Sequence, residues 1–460
     1  MCALAAIVTV SAPAAAQQPS GAPFSGLFKG SPKDQPQTLD VRGSAFAAYD
    51  DDILTQAPGG GGASALSDPR SIKPGIANGF QASAAYSFHK AGTRSQFGIS
   101  GEGSLQEFAS SVGNGLLQFE SYNVGTALRT SITNKSSISF SGGATYAPYY
   151  QYAPFLQSTT SEESPVGNDY GFAVNSEWVR STSASASIED RLTKKSSITG
   201  TIGWTKTVIV SGIGTDRDMR QANVSFSHNV TRKLALHVGY GIREERDSQQ
   251  GEQTPPILDH VMDFGLGYGD GLTLTLGRHL TLSMSGGASI AKNGDPVSVA
   301  KTGKDTAFLV NGNATLSRSI GRSWGTSIGY VRSIQYIVGF AQPLNTDGAN
   351  AGIGGPLARR LQFSAGGGAS RGQQVFSNSG GSLVSYTAST KLTYGIFTNL
   401  GLYGQASYYK FSIPSSFITT PGLIPNLNRR SVSVGLSTWF ALIKQRRGDR
   451  NPDQTPAEQP

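Results

Sequence analysis

The stretch Ser431-Val-Ser-Val-Gly-Leu-Ser-Thr-Trp-Phe440 alternates in two phases. Val432, Val434, Leu436 and Phe440 fall in one, and Ser431, Ser433, Gly435 and Ser437 in the other. Successive side chains of a strand point to opposite faces, so this segment has one greasy face and one polar face. Similar dyads recur from residue 39 onward, and no segment carries a helical period. A single such strand suits a soluble sandwich. About eighteen in succession, joined alternately by tight basic turns and long polar loops, predict an antiparallel sheet closed on itself, apolar outside and wet inside. The expected fold class is all-β: a transmembrane up-and-down β-barrel with short periplasmic turns and long extracellular loops.

Composition agrees once read with that period in mind. Mean hydropathy is −0.22 and hydrophobic content is 37%. No run approaches the roughly 18 apolar residues of a membrane helix. A barrel needs none, because every second residue meets lipid. Glycine is frequent (58 of 460) and charged residues are sparse at 15%, against about 25% in ordinary soluble domains. The net charge of +8 reflects basic turns and a basic tail. No basic stripe is interleaved with aromatics, so nucleic acid is not an expected partner.

Residues 1–16 read as a signal peptide, with Ala14-Ala15-Ala16 as the cleavage region. Cys2 would leave with it, which excludes thiol catalysis and disulfide scaffolding from the mature chain. Residues 17–38 form a disordered lead-in, 39–443 the barrel and 444–460 a charged, disordered tail. Eight short turns, such as Thr133-Asn-Lys-Ser, Thr193-Lys-Lys-Ser and Gly277-Arg-His-Leu, punctuate the strands. Nine longer connections fall near 51–78, 110–119, 148–177, 211–216, 246–256, 292–304, 341–350, 372–381 and 413–428. Together they give eighteen strands, or sixteen if the weak strand around 350–357 is loop.

The dyads assign faces. Phe97, Ile99, Phe140, Tyr146, Ile198, Ile202, Trp204, Val224, Phe226, Leu236, Val238, Leu282, Met284, Val310, Leu316, Leu402 and Leu436 are in the lipid phase. Gln81, His89, Gln96, Glu102, Asn123, Arg129, Asn223, His237, Arg243, Asp263, Asn311, Asn313, Lys391 and Gln405 are in the lumen phase. Of these, Glu102, Arg129, Arg243, Asp263, Lys391, Asn223 and Asn311 are the candidate pore-lining set, with charges close to balance. Tyr86, Phe88, Tyr122, Trp178, Trp324, Tyr394 and Trp439 fall near strand ends, where interfacial girdles belong. Lys206 and Arg332 land in the lipid phase and require a rim position or a bulge. The third extracellular loop carries Tyr149, Tyr150, Tyr152, Glu162, Glu163 and Asp169, and is the candidate constriction.

Residues for chemistry are scattered. His89, His228, His237, His260 and His279 lie on different strands without metal-ligand spacing, so no metal site, cofactor or catalytic set is expected. His89 and His260 are the pair to consider for a barrel hydrolase near one rim. Asp50-Asp51-Asp52 has the donors for Ca²⁺, but a solvated acidic loop is the preferred reading. Gly-rich runs such as Gly366-Gly-Gly precede no helix that would hold a phosphate.

The last strand resembles the signal by which the assembly machinery of Gram-negative bacteria recognises outer-membrane β-barrel proteins, a polar-x-Gly-x-x-apolar-x-aromatic pattern. Ser433, Gly435 and Phe440 fit it, while Thr438 stands where an apolar residue is preferred and the chain runs on past Phe440. The early strand Leu39-Asp-Val-Arg-Gly-Ser-Ala-Phe-Ala-Ala-Tyr-Asp-Asp-Asp52 resembles the first strand of β-barrel porins. The resemblance implies the outer membrane, with its lipid and its assembly machinery as partners. It further implies a channel for passive diffusion or export of small hydrophilic solutes, saccharides among them by analogy. A structural or surface-binding barrel without an open pore is the alternative. No interface signature speaks to the oligomeric state.

Overall fold

The computed structural model describes residues 37–54, 72–89, 94–109, 116–148, 178–210, 215–231, 234–249, 252–253, 255–268, 280–294, 304–321, 323–336, 340, 342–377, 381–397, 399–417 and 426–443. The expected signal and tail segments, residues 17–36 of the expected lead-in, and the loop carrying Tyr149 to Asp169 lie outside them, whereas Gln37 and Thr38, placed in the lead-in by sequence, belong to the first strand. Strands β1 to β6 are Gln37–Leu54, Ile72–His89, Ser95–Ala109, Leu116–Ser131, Ser136–Pro148 and Trp178–Asp190. Strands β7 to β12 are Ser196–Ile209, Thr215–Asn229, Leu234–Gln249, Ile257–Tyr268, Leu280–Asn293 and Thr306–Ile320. Strands β13 to β18 are Trp324–Gln335, Leu344–Ala358, Leu361–Gln374, Leu383–Phe397, Leu400–Ser412 and Asn426–Ile443. A two-residue piece, Glu252–Gln253, only extends the β9 hairpin.

Each strand pairs antiparallel with its sequence neighbours, and β1 pairs with β18 from Leu39↔Ile443 to Asp50↔Ser431. The sheet is closed. A closed sheet leaves no row of unpaired backbone groups facing lipid, which an open one could not avoid. The region around 350–357 lies inside β14, so the count is eighteen rather than sixteen.

The faces follow the dyads. In β18, Val432, Val434, Leu436 and Phe440 are exposed on the outer wall, while Ser433 and Gly435 are buried inside. The whole expected lipid-phase set falls on outward positions. Outward aromatics include a row across three strands: Tyr122 and Tyr146 stack at 6.4 Å and Tyr146 and Trp178 at 5.1 Å. Trp324 also faces out, lying over Gly355, where a Cβ would come within 2.6 Å of its ring. Trp439 departs from the girdle expectation. Phe440 holds the outward phase, so Trp439 points inward on β18. Lys206 and Arg332 do face outward, near the loop end of the wall, and Arg332 pairs with Asp347 at 3.6 Å.

Three connections differ most from expectation. β1 and β2 reach further into the first loop, to Leu54 and from Ile72. β9 continues to Gln249, which brings Asp247 into the wall. The seventh extracellular connection is 336–343 rather than 341–350, because β14 already starts at Leu344. The turn expected at Gly277 lies outside the described residues. His89 ends β2 at the turn end and His260 sits near the loop end of β10, so they share no rim.

Candidate functional site

The interior divides into two halves. Along β2 to β5 the inner wall is open to solvent: Glu102, Asn123 and Thr145 are exposed although they point inward. Gln81 donates to the Glu102 carboxylate from the adjacent strand. Hydroxyls pair across the strands beside them, Ser104 with Ser121 at 2.7 Å, and Ser139 with Ser187 and Ser141 with Ser185 at 2.6 Å. Cross-strand hydroxyl pairs of this kind add modestly to the ladder and leave a second lone pair for water.

Along β8 to β17 the loop end of the interior is filled. Phe340, Leu344, Phe376, Leu383 and Tyr409 are at most 1% exposed, and Phe411 is nearly as deeply covered. These inward aromatics come from strand tops and from the seventh to ninth extracellular connections. The seventh is the largest departure from a plain wall. β12 and β13 pair from Ile320↔Trp324 up to Gly312↔Arg332 and no further, so Thr306–Asn311 pair with β11 alone. Above that point Ile334, outward by alternation from Tyr330, is 2% exposed and packs with Ala291, Val375 and Phe376, with the inward Ala307 and Leu309 against them. The top of β13 has left the wall and turned into the barrel.

What it meets is a charged cluster. Arg217 on β8 donates to both Asp247 oxygens, at 2.9 and 3.0 Å, and pairs with Glu245. Its Nη2 also donates to the Phe340 carbonyl at 3.2 Å. Arg243 pairs with Asp259 on β10 and lies 4.3 Å from the Tyr336 ring centroid. Glu245, Asp259 and both arginines have under one-tenth of their side chains exposed. Buried charges are tolerated only when paired, and here two cations answer three carboxylates. Backbone and aromatic groups of the seventh connection complete the shell. Two arginines latch that connection in place.

The sequence-predicted residues do not form one ring. Arg243 belongs to the latch. Asp263, two dyad repeats below Asp259 on β10, packs over Gly239 with His237 Nε2 3.7 Å away. Glu102 lies in the open half. Arg129 is inward near the turn end, 3.0 Å from Glu189. Asn223 points inward on β8, Asn311 donates to Ser289 across β11, and Lys391 lies 4.8 Å from the Tyr403 ring. Gly435 accommodates the Tyr403 ring, whose hydroxyl would lie 2.7 Å from an added Cβ, and Phe440 faces out. Sequence reading missed Arg217, Glu245, Asp247, Asp259, Tyr336 and Phe340. Arg243, Glu245 and Asp247 share one phase, and that parity was the available signal for the two acids. His260 faces outward and shares a hydrogen bond with the Tyr240 hydroxyl at 2.7 Å. Asp51 accepts the Arg430 backbone N–H at 2.6 Å, and no group of three metal-ligating side chains is found among the described residues.

A closed antiparallel barrel with an apolar outer band and a polar interior is stable only where lipid surrounds it. The chain is a β-barrel of the outer membrane. No protein-family description and no curated protein matches its sequence. Among solved structures it is similar to Pseudomonas aeruginosa OpdQ, with 12% identity over 89% of this chain and 100% of that one, at a TM-score of 0.45. It is also similar to the FrpB iron transporter from Neisseria meningitidis, with 10% identity, 89% and 82% coverage and a TM-score of 0.45. Pseudomonas aeruginosa OccK2 (OpdF), solved in complex with glucuronate, gives 9% identity, 88% and 98% coverage and a TM-score of 0.43.

Proposed function

We propose that this barrel is a porin-like channel for small hydrophilic solutes, conducting along its solvent-open half. Eighteen strands enclose more than their own side chains can fill. The carrying observation is that Glu102, Asn123 and Thr145 point inward and yet remain exposed, beside a wall of paired hydroxyls. Hydroxyls and amides exchange hydrogen bonds with a passing solute at little cost, which favours uncharged polar solutes, saccharides among them. Inward charges of both signs, Arg42, Arg129 and Lys391 against Asp40, Glu102 and Glu189, argue for weak ion selectivity. The candidate pore-lining set would act from separate heights rather than as one filter.

A second reading has its own observation. The aromatics packed at the loop end, with Phe340 and Phe376 at 1% and 0% exposure, favour a barrel that stays shut. Single-channel recording of the refolded mature protein in a planar bilayer decides between them. Steady conductance with a reversal potential near zero in a salt gradient supports the channel. A heat-modifiable folded barrel that never conducts means a structural or surface-binding role.

A further inference from the structure

Cations follow the outer wall at its loop end from β6 to β18, while β1 and β4 carry the carboxylates Asp51 and Glu120 there. Arg180, Lys206, Lys292, Arg371, Lys410 and Arg430 stand on outward positions of β6, β7, β11, β15, β17 and β18, and all six are exposed. Each is the next charged outward residue beyond the band, as Lys206 is beyond Trp204, Lys292 beyond Ile290 and Arg430 beyond Val432. Three more, Arg220, Arg246 and Arg332, fill in on β8, β9 and β13.

The arc is level. Following the paired residues once around the barrel staggers the chain by about 22 residues over its eighteen strands, as closure of a tilted sheet requires. From Arg180 to Arg430 the cations descend by about 14 residues over twelve strands, the same slope within a residue or two. Side chains that keep pace with the stagger share one height along the axis. The other end of the wall has no counterpart. Among the described residues its outward strand positions carry one cation, Arg318; the other turn-end cations sit in the turns or, like Arg129, point inward.

Like charges at one height repel unless anions come between them. Neighbouring carboxylates serve three: Asp218 lies 3.3 Å from Arg220, Glu244 2.6 Å from Arg246 and Asp347 3.6 Å from Arg332. The other six have no ion pair within 4.0 Å among the described residues. The Tyr122, Tyr146 and Trp178 stack lies at the height of the collar, Tyr146 facing Arg180 across the ladder, and marks the edge of the hydrocarbon. We propose that this collar binds the phosphate groups of the phosphorylated glycolipid that forms the outer leaflet. A guanidinium fork matches phosphate oxygens, and acyl chains of the same molecule would lie along the apolar band below.

The test uses the full-length folded protein in phosphatidylcholine nanodiscs doped with diphosphoryl lipid A, counting bound lipid A per barrel by native mass spectrometry. Replacing the six exposed cations together by Gln (Arg180→Gln, Lys206→Gln, Lys292→Gln, Arg371→Gln, Lys410→Gln, Arg430→Gln) should reduce enrichment at least tenfold. Lys135→Gln, Lys194→Gln, Lys195→Gln and Arg359→Gln, in the turns, should leave it unchanged. Fully dephosphorylated lipid A with the unaltered protein should show the same loss without any mutation, which covers a collar variant that fails to fold. Equal enrichment of phosphatidylglycerol, displacement by millimolar inorganic phosphate, or equal loss in the turn variant overturns the proposal. Heat-modifiable mobility, followed in parallel, separates loss of the glycolipid from loss of the barrel.

Discussion

The Arg217 latch can be tested by removing its cation. In Arg217→Met the aliphatic bulk remains, while Glu245 and Asp247 lose the guanidinium that holds them and the Phe340 carbonyl loses its donor. Their side chains are 2% and 12% exposed, so the stranded carboxylates stay in a nearly dry pocket as long as the seventh connection is in place. Breaking a buried pair by deleting one partner costs about 3–5 kcal/mol. The lost carbonyl bond adds about 1 kcal/mol. The carboxylates recover water if the seventh connection withdraws, so the cost falls on the closed arrangement. At about 1.4 kcal/mol per tenfold, the ratio of closed to open drops by about 10³–10⁴. Single-channel records should show a larger conductance with frequent long-lived upper levels. The triple variant Arg217→Met, Glu245→Gln, Asp247→Asn strands no charge, and a neutral set of similar volume packs about as well as the ionic one. It should return to the low level. Unchanged conductance in the single variant, or a triple variant as open as the single, refutes the latch.

Other perturbations probe the wall and its assembly. Val238→Arg places a charge on an outward position 61% exposed to lipid and should cost about 2–4 kcal/mol in urea unfolding from detergent, whereas Asn223→Arg on the inner face should cost little and shift the reversal potential. At Gly79 a Cβ would lie 2.0 Å from the Phe46 ring, so Gly79→Val should destabilise by about 1–3 kcal/mol, and adding Phe46→Ala should recover part of it. Phe440→Ala leaves the mature fold almost untouched, since this side chain faces lipid, but should lower the yield of heat-modifiable barrel in cells if it reads as the assembly signal.

Most of the wall was legible because lipid enforces it. A residue in the wrong phase of a transmembrane strand exposes a polar group to hydrocarbon, so the period of two survives even where glycine and serine dominate, as in Gly366-Gly-Gly. Ile198, Val224 and Leu436 could therefore be placed from alternation alone. The same rule hid the constriction. Tyr336-Ile-Val-Gly-Phe340 is as apolar as the strand it follows and reads as more of β13, so the expected connection moved to 341–350. Alternation states which face a side chain takes. It carries no information on whether the strand stays at the radius of the wall, and that is what changes above Arg332. Asp247 was lost for a related reason, since a polar run such as Glu244-Glu-Arg-Asp-Ser reads as loop when its neighbours across the ladder are unknown.

The height of the split explains how the wall tolerates it. Thr306–Asn311 expose an unpaired edge, and within hydrocarbon each such backbone group costs several kcal/mol. Lys292 faces Thr306 across the β11 ladder, and Arg332 faces Gly312 across the last pair with β13, so the split opens at the level of the cationic collar. There headgroups and water replace acyl chains and can satisfy the freed edge. Inside, Arg217 pairs in register with Asp247 and stands next to Asp218, which faces Lys206 of the collar, so the latch occupies that height as well. A hairpin can turn inward only where its absence from the wall exposes nothing to hydrocarbon. Collar, split and latch share one level because the lipid boundary permits a constriction built from the wall there and nowhere deeper.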